Sequence, residues 1–280
     1  MFYRFQVIGN PIEHSLSPWI HRRFMEIAKI NGEYTKNKIE PNELEVKFAQ
    51  IKEQGIDGFN VTLPHKQAII PLLDDLDDTA EKMGAVNTVA YKKGKWIGYN
   101  TDGIGYLRSL ERAYPDLFIE KEKKKVLIIG AGGASRAIFY ALYNNGFQSI
   151  DLANRTVQSA EQIASLQDGI TTNILTLHQA EQNVSSYDLI IQTTSVGMVP
   201  NEKQSVIEIA NIKEFAVVSD IVYQPIETKL LQDAKKAGAR IHFGHTMLLF
   251  QAQASFEIWT GIKPEIGDLD KQLKEILEGR

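Results

Sequence analysis

A short apolar run, Val126–Ile129, leads directly into a glycine-rich turn and then into a helical pattern. The turn reads Gly130-Ala131-Gly132-Gly133-Ala134-Ser135, and the helical pattern continues to Asn144. Continuous apolar runs of this length are typical of parallel strands, which helices cover on both faces. The sequence therefore predicts a strand–turn–helix unit of a doubly wound α/β sheet.

This turn has the residue types that a dinucleotide pyrophosphate requires. Gly130 allows the tight turn, Gly132 lets backbone N–H groups approach a phosphate, and the following helix directs its positive end at that phosphate. Ser135 stands where the usual fingerprint has its third glycine, and it is small enough for close packing. We expect dinucleotide binding here; a purely structural strand–helix turn is the alternative.

The next predicted strand, Ser149–Ala153, bears on the choice of coenzyme. Enzymes that use NAD usually have an acid at the C-terminal end of this strand, which holds the ribose 2′-hydroxyl. Asp151 lies before that end, so we do not expect it to reach the ribose, and Arg155 occupies the tip. A guanidinium there can bind a 2′-phosphate through two parallel hydrogen bonds, which favours NADP over NAD. The alternative is an ordinary exposed loop arginine.

Strand-like runs alternate with amphipathic helical patterns along most of the 280 residues, which predicts an α/β fold of two domains. A charged stretch, 120–125, separates two blocks, and we expect a boundary just after Gly103. The strand candidates are Arg4–Ile8, Gly58–Thr62, Thr88–Tyr91, Trp96–Tyr99, Val126–Ile129, Ser149–Ala153, Leu189–Gln192, Ala216–Asp220 and Arg240–Phe243. The helix candidates are Pro18–Ile30, Glu43–Gln54, Ile104–Arg112, Ser135–Asn144, Val157–Leu166, Thr228–Ala237, Met247–Trp259 and Asp268–Leu277.

Composition excludes several classes of function. The chain has 31 Lys and Arg against 35 Asp and Glu, so a broad electrostatic surface for nucleic acid is not expected. The absence of cysteine removes disulfides, thiolate nucleophiles and Cys-type zinc sites. The apolar runs are too short to span a membrane, and we do not expect the N-terminal segment to act as a signal peptide. We expect a soluble, cytoplasmic protein without a metal site.

Three polar clusters in the first hundred residues carry candidate chemistry. In the first, Ser15 and Ser17 flank the start of helix Pro18–Ile30, where hydroxyl groups, free N–H groups and the helix dipole favour a carboxylate. Capping of the helix by Ser17, with Pro18 in the first helical position, is the alternative.

The second and third clusters contain groups suited to proton transfer. Lys66 follows the strand Gly58–Thr62 and lies in the first turn of a helix, where the dipole opposes its charge. A partly desolvated lysine can transfer protons near neutrality, whereas the alternative is an exposed surface lysine. Asn87 and Asp102 lie near strand ends among small residues, where α/β folds place ligand contacts. For Asp102 a helix cap is the alternative.

A set of short motifs occurs in one order along the chain: NPIxHSxSP, NVTxPxK, GAVNT, NTDGxG, GAGGAS, NRT, SxGM and DIVYxPxxT. In this combination the sequence resembles the shikimate dehydrogenase family over nearly its whole length. The resemblance implies reversible NADPH-dependent reduction of 3-dehydroshikimate to shikimate, in the pathway to chorismate and the aromatic amino acids. It also implies a substrate domain, a Rossmann-like NADP-binding domain and an active site in the cleft between them.

The resemblance assigns roles to individual residues. The proton donor in the reduction would be Lys66, paired with Asp102. The substrate would be bound by Ser15, Ser17, Thr62, Asn87, Tyr223 and Gln251. The NADP coenzyme would be held by Gly130, Ala131, Gly132, Gly133, Ala134, Asn154, Arg155, Thr156, Ile221, Gly244 and Met247.

The same resemblance implies how the chain is divided. Residues 1–103, completed by 244–280, would form the substrate domain, and residues 104–243 the NADP-binding domain. We expect a monomer or homodimer that binds small molecules and neither nucleic acid nor membrane. Thr246, Gln192 and Ser159 depart from the family's usual residues. Two alternatives stay open: an NAD-preferring quinate/shikimate dehydrogenase, and a non-catalytic dinucleotide sensor.

Overall fold

The computed structural model describes residues 1–167 and 169–279, and the predicted α/β fold is confirmed in it. By their internal contacts these residues form two compact units. The first unit comprises residues 1–102 and 251–265, and the second comprises residues 103–250 and 266–279.

The first unit is built on one mixed sheet. Its elements are β1 (Phe2–Gly9), α1 (Ser17–Ala28), β2 (Asn31–Lys38), α2 (Leu44–Glu53), β3 (Gly58–Val61), α3 (His65–Ala68), β4 (Asp75–Leu76), α4 (Asp78–Met83), β5 (Thr88–Lys92) and β6 (Lys95–Tyr99). The strand order is β2-β1-β3-β5-β6-β4, and β5 alone runs antiparallel to both neighbours. The C-terminal ends of β1, β3 and β6 therefore share one edge of the sheet with the N-terminal end of β5.

Strand β2 was not predicted, and its position explains why. It pairs with β1 only, at the edge of the sheet, and Tyr34 is its one buried residue. Its sequence, NGEYTKNK, is polar and carries two lysines, which is common at sheet edges because charge discourages further pairing. An edge strand of this kind lacks the apolar alternation on which strand prediction depends.

One face of this sheet carries an aromatic cluster that includes part of α10 (Gly244–Thr260). Trp259 donates a hydrogen bond from Nε1 to the Val89 carbonyl at 2.9 Å. A Cβ atom at Gly58 would lie 2.4 Å from that same nitrogen, so only glycine fits under the indole ring. His21 lies in this cluster with its ring centroid 4.5 Å from that of Tyr34 and its plane within 3° of parallel.

The second unit is a fully parallel sheet covered by helices. Its elements are α5 (Asp102–Ala113), β7 (Lys125–Ile129), α6 (Gly133–Asn144), β8 (Ser149–Ala153), α7 (Val157–Ala164), β9 (Ile174–Leu175), α8 (Leu177–Gln182), β10 (Leu189–Gln192), β11 (Val217–Asp220), α9 (Lys229–Lys236), β12 (Arg240–Phe243) and α11 (Leu269–Leu277). The strand order is β12-β11-β10-β7-β8-β9, with every pairing parallel. The order reverses between β7 and β10, as in the Rossmann fold.

The apolar run that opened the sequence forms the middle of this sheet. Val126, Leu127, Ile128 and Ile129 of β7 have no exposed surface. Val126 and Ile128 pack into one core cluster, and Leu127 and Ile129 into another, because successive strand side chains point to opposite faces. The continuous apolar run thus reflects a strand buried on both faces.

The structure groups the last helix with the second unit, whereas the sequence placed it with the first. The predicted domains were 1–103 with 244–280, and 104–243, whereas α11 groups with the second unit. Arg112 donates to the Gly267 carbonyl at 2.9 Å, and the Lys274 ammonium lies 4.7 Å from the Phe243 ring centroid. These contacts keep the C-terminal helix with the parallel sheet. Within the described residues, no helix combines the length and apolar character needed to cross a bilayer.

His21 makes the stability of the first unit sensitive to acid. Burial lowers its pKa to about 3, against the neighbouring Asn60 side chain, which raises it, and neither ring nitrogen makes a hydrogen bond of normal geometry in the described part of the chain. An unfolded histidine has a pKa near 6.5, so the unfolded state binds the proton first as pH falls. Stability is therefore complete above about pH 6.5, and this residue should remove about 2 kcal/mol of it by pH 5.

We expect His21→Phe to raise the unfolding temperature at pH 7 and to reduce the loss of stability between pH 7 and pH 5. Phenylalanine keeps the stack on Tyr34 and removes two unpaired ring nitrogens. Thermal unfolding followed by circular dichroism at both pH values measures this. His178→Phe is the control, since the His178 side chain is 76% exposed. Equal acid sensitivity of wild type and His21→Phe would contradict the assignment.

Candidate active site

The edge where β1, β3 and β6 end brings together the polar segments of the first unit. A Cβ atom at Gly9, the last residue of β1, would lie 2.3 Å from Thr62 Cγ2. The next residue, Asn10, donates its backbone N–H to the Leu63 carbonyl at 2.9 Å. The chain segment leading to Ser15 and the segment leading to Lys66 therefore leave the sheet side by side.

Lys66, Asp102 and Asn87 form one hydrogen-bonded group at this edge. Lys66 Nζ lies 2.8 Å from Asp102 Oδ2, and Asn87 Nδ2 donates to Asp102 Oδ1 at 2.8 Å. The Lys66 side chain is 32% exposed, and that of Asp102 is 15% exposed. The pair is thus shielded on the Asp102 side and open to a ligand on the Lys66 side.

These contacts argue against both alternatives, a helix cap for Asp102 and an exposed surface lysine for Lys66. Asp102 is the first residue of α5, yet its two carboxylate oxygens bond Lys66 and Asn87. Lys66 lies in α3, a helix of four residues, and is held by an ion pair rather than extended into solvent. A positioned ammonium beside a fixed carboxylate is a group that can donate a proton.

Asn87 is oriented by groups that the sequence reading did not single out. Its Oδ1 accepts hydrogen bonds from the Thr101 backbone N–H and from the Thr88 hydroxyl, both at 2.9 Å. These donors turn the amide nitrogen toward Asp102. Ser255, completely buried on α10, lies 2.7 Å from the Thr88 hydroxyl and accepts from Asn60 Nδ2 at 3.1 Å.

The same helix carries Gln251 one turn before Ser255. Ser255 Oγ donates to the Gln251 carbonyl at 3.0 Å. Residues four apart share one helix face, so Gln251 lies above a serine that contacts the strand ends. A lone serine in an apolar helix, one turn from a candidate ligand residue, was the available sequence signal for Ser255.

Ser15 and Ser17 lie together at the start of α1, but the predicted cap is wrong. The structure places Leu16 in the cap position, and that residue makes no side-chain capping bond. Instead the Ser15 hydroxyl accepts from the Ser17 N–H at 3.3 Å and donates to the Ser17 hydroxyl at 3.2 Å. Because α1 already begins at Ser17, the Ser17 hydroxyl does not serve as the helix cap.

In the glycine-rich turn of the second unit, Gly130 and Ser135 are closely packed, whereas Gly132 and Gly133 have open space beside them. Gly130 has φ +115°, and a Cβ atom there would lie 2.4 Å from the Thr193 hydroxyl. Ser135 is completely buried and donates to the Gly130 carbonyl at 2.8 Å, which ties the helix start to the turn. Gly132 and Gly133 have no atom within 4 Å of a Cβ position.

This geometry fits a pyrophosphate. Gly132 and Gly133 are exposed at the first turn of α6, where backbone N–H groups have no intrahelical partner. Ala131 and Ala134, also predicted to contact the coenzyme, flank these glycines and are half-buried. Thr193 donates its hydroxyl to the Ile129 carbonyl at 2.8 Å, so the loops after β7 and β10 meet at the reversal in strand order. Ligands of doubly wound sheets bind at this point.

The tip of β8 has the layout that the sequence predicted. Asn154 is half-buried and donates to the Thr156 carbonyl at 2.8 Å, while Arg155 and Thr156 are exposed. Asp151 is buried and accepts hydrogen bonds from Tyr187 and from Asn173, each at 2.9 Å. Its oxygens are therefore occupied inside the unit, and Arg155 presents the free polar group at the tip.

The remaining predicted coenzyme contacts follow β11 and β12. A Cβ atom at Gly244 would lie 2.3 Å from the Ile221 carbonyl oxygen, so the start of α10 requires glycine there. Met247 is 9% exposed and packs in the core of the second unit. Tyr223 lies in the second unit, not with the other predicted substrate contacts, and it is 36% exposed.

The residues that depart from the family pattern each take part in local hydrogen bonding or packing. Thr246 donates to the Phe243 carbonyl at 2.7 Å within the first turn of α10. Gln192 donates from Nε2 to Asp220 and to the Val196 carbonyl, each at 3.1 Å. Ser159 is half-buried on α7. Across residues 1–167 and 169–279, no cluster of three His, Asp or Glu side chains has the geometry of a metal site.

Comparison with protein families matches three segments of the chain to models of shikimate dehydrogenase domains. Residues 7–89 match the model described as the shikimate dehydrogenase substrate binding domain. Residues 115–233 match that of shikimate / quinate 5-dehydrogenase, and residues 244–274 that of the shikimate 5′-dehydrogenase C-terminal domain.

Individual relatives agree with these matches. A protein of Oceanobacillus iheyensis named shikimate dehydrogenase (NADP(+)) is 52% identical, with 98% of each chain covered. The crystal structure of shikimate dehydrogenase from Aquifex aeolicus has a TM-score of 0.85 and 39% identity, covering 97% of each chain. That of the Thermus thermophilus enzyme in complex with NADP(H) and shikimate has a TM-score of 0.84 and 30% identity, covering 99% of each chain.

Two glycine substitutions separate folding from ligand binding in the turn. Gly132→Ala should keep the unfolding temperature within about 1 °C of wild type, since space at its Cβ is open, but should weaken dinucleotide binding. Gly130→Ala should lower the unfolding temperature, because its φ and the Thr193 contact exclude a side chain. Calorimetry and fluorescence titration with NADPH measure the two effects. Unweakened binding by Gly132→Ala would argue against a pyrophosphate at this position.

Proposed function

Since this chain belongs to the shikimate dehydrogenase family, we propose that it catalyses the reversible NADPH-dependent reduction of 3-dehydroshikimate to shikimate. The observation that carries the proposal is the Lys66–Asp102 pair, held by Asn87 at the edge of the first unit's sheet. This reaction serves the biosynthesis of chorismate and the aromatic amino acids.

The pair is suited to protonating a ketone oxygen. Bound NADPH supplies a hydride to the carbonyl carbon, and negative charge then develops on the carbonyl oxygen. The Lys66 ammonium stabilises that charge and gives up one proton, which makes the hydroxyl of shikimate. Asp102 keeps the ammonium in place through the 2.8 Å contact, while Asn87 fixes the carboxylate. In the reverse direction Lys66 accepts the proton and NADP⁺ accepts the hydride.

The proposed substrate contacts are hydrogen-bonding groups suited to a hydroxylated carboxylate. Ser15 and Ser17 would bind the carboxylate through their hydroxyl groups. Thr62 and Gln251 would bind ring hydroxyls, and Tyr223 would contact the carboxylate. Asn87, the third predicted ring-hydroxyl contact, is buried and already donates to Thr101 and Asp102, so binding substrate would require it to give up one of these bonds. The position of Thr62 directly after β3, one turn before Lys66, supports this assignment.

The proposed coenzyme contacts follow the carboxyl edge of the parallel sheet. Gly130 to Ala134 would hold the pyrophosphate at the start of α6, and Asn154, Arg155 and Thr156 the 2′-phosphate end. Ile221, Gly244 and Met247 would lie against the remaining part of the coenzyme. The first unit is accordingly proposed to bind substrate and the second unit NADP. A cytoplasmic location and a monomer or homodimer stay predictions from the sequence.

Lys66→Ala should reduce kcat by at least about a hundredfold, because general acid catalysis of this kind contributes about that much or more. Binding of shikimate should change much less, since other groups hold its carboxylate. Steady-state rates and isothermal titration with shikimate measure the two effects.

Lys213→Ala is the matched control for that experiment. Lys213 Nζ lies 2.5 Å from Asp188 Oδ1, and the Asp188 side chain is 16% exposed, close to the value for Asp102. This second pair lies before β10 and β11, at the amino ends of the parallel strands, whereas the coenzyme is proposed to bind at their carboxyl ends. The control should keep wild-type kcat. Near-wild-type turnover by Lys66→Ala would remove Lys66 from the mechanism.

Substrate and coenzyme preference test the proposed reaction against the quinate alternative. Wild type should turn over shikimate with NADP⁺ faster than quinate with NAD⁺. Arg155→Ala should raise the KM for NADP⁺ at least about tenfold and leave that for NAD⁺ within about twofold, since only NADP⁺ has the 2′-phosphate. Arg23→Ala, an exposed arginine on α1, is the control. Faster turnover of quinate with NAD⁺ would overturn the proposed specificity, and equal KM changes would overturn the role of Arg155.

A further inference from the structure

A completely buried carboxylate ends β11 without a cationic partner. Asp220 accepts hydrogen bonds at Oδ1 from the Val222 N–H at 2.9 Å and from Gln192 Nε2 at 3.1 Å. Its Oδ2 accepts from the Thr228 hydroxyl at 2.7 Å. Among the described residues no ion pair includes Asp220, so three uncharged donors satisfy it.

These three donors come from three different elements. Gln192 is the last residue of β10, and Val222 belongs to the loop 221–228 that leaves β11. Thr228 is the cap of α9, where its hydroxyl also accepts from the Leu231 N–H at 3.4 Å. One carboxylate thus fixes both ends of the loop 221–228 and connects it to the neighbouring strand.

The loop 221–228 lies where doubly wound sheets bind ligands. It follows β11 at the carboxyl edge of the sheet, beside β10, which borders the reversal in strand order. The Ile221 N–H donates to the Gln192 carbonyl at 3.1 Å. The Ile221 carbonyl approaches Gly244 so closely that a Cβ atom would lie 2.3 Å away. The course of this loop therefore also limits where α10 can begin.

Holding the loop with a buried carboxylate reduces the stability of the fold. Burial raises the pKa of Asp220 to about 6, against the hydrogen bonds from Thr228, Val222 and Gln192, which lower it. At pH 7 the ionised form is therefore less favourable in the folded chain than in water, and it destabilises the fold. A neutral amide would avoid this cost, and proteins tolerate such costs mainly at functional sites.

We propose that Asp220 is a positioning residue for coenzyme binding, which holds the loop 221–228 in the geometry that receives NADPH. The inference rests on the proposed function, since it presumes that NADPH binds at this edge. Asp220 itself stays buried behind the loop and does not touch the coenzyme. The carboxylate accepts from all three donors at once, whereas an amide would present one donor group, which only the Thr228 hydroxyl could accept after giving up its own donated bond.

The same sheet offers a matched control in Asp151. Its side chain is also buried, and it also has three uncharged donors, from the Asn173 backbone and side chain and from the Tyr187 hydroxyl. Asp151 lies on β8, however, on the other side of β7, and it bonds no residue of the loop 221–228. Asp220→Asn and Asp151→Asn therefore remove the same charge from similar surroundings.

The experiment measures NADPH binding directly by fluorescence titration, together with steady-state kinetics and the unfolding temperature at pH 7.5. Asp220→Asn should raise the Kd and the KM for NADPH at least about tenfold. Its kcat at saturating NADPH should fall less than about threefold, and its unfolding temperature should stay equal or rise. Asp151→Asn should keep the Kd for NADPH within about twofold of wild type.

Each outcome bears on the proposal separately from the proposed function. An unchanged Kd and KM in Asp220→Asn would overturn the positioning role, as would an equal rise in Asp151→Asn. If Asp220→Asn does not fold, Thr228→Val removes the 2.7 Å bond to Asp220, together with the longer 3.4 Å capping bond from Leu231, and should raise the Kd about threefold; an unchanged Kd would overturn the role. A wild-type protein that bound NADPH but did not reduce 3-dehydroshikimate would instead overturn the proposed function.

Discussion

The division of the Asp102 carboxylate between two donors determines the proposed chemistry of the first unit. One oxygen is bonded to Asn87 and the other to Lys66, at 2.8 Å each. Because Asn87 has its own oxygen occupied by Thr101 and Thr88, its amide cannot turn without breaking two further bonds. Lys66 therefore pairs with a carboxylate whose orientation is fixed by Asn87, and such preorganisation favours proton transfer. Sheet order achieves this: antiparallel β5 starts at the edge where β3 and β6 end.

The second unit uses backbone rather than side-chain groups for its proposed ligand. At Gly130 and Gly244, an atom of another segment of the same chain would lie within 2.4 Å of a Cβ atom, so these glycines allow close packing. Gly132 and Gly133 face open space and leave N–H groups accessible. Glycines in one fold therefore have two distinct functions, and only the surrounding atoms distinguish them. Both functions occur at the carboxyl ends of the parallel strands, because the loops that follow the strands lie together there.

Sequence patterns predicted the strands that are buried on both faces and missed three of the four edge strands, β2, β4 and β9, while the edge strand β12 was predicted. The continuous apolar run Val126–Ile129 and the turn after it were recognisable because each position has one structural requirement. Strand β2 was missed because only Tyr34 of its residues is buried. Ser255 was missed because its partners Asn60, Thr88 and Thr101 are remote in sequence. Motif order identified Lys66 and Asp102, but their contact required the fold.

The two buried carboxylates of the parallel sheet show what a sequence cannot distinguish. Asp151 and Asp220 both lie on β-branched or aliphatic strands, and both are fully hydrogen-bonded. The sequence drew attention to Asp151 because NAD enzymes usually have an acid at the end of this strand, yet its bonds face inward to Asn173 and Tyr187. Asp220 instead bonds the ends of a loop at the ligand-binding edge. Function in such a fold depends on which loop a buried charge restrains, and this follows from hydrogen-bond partners rather than from residue type or spacing.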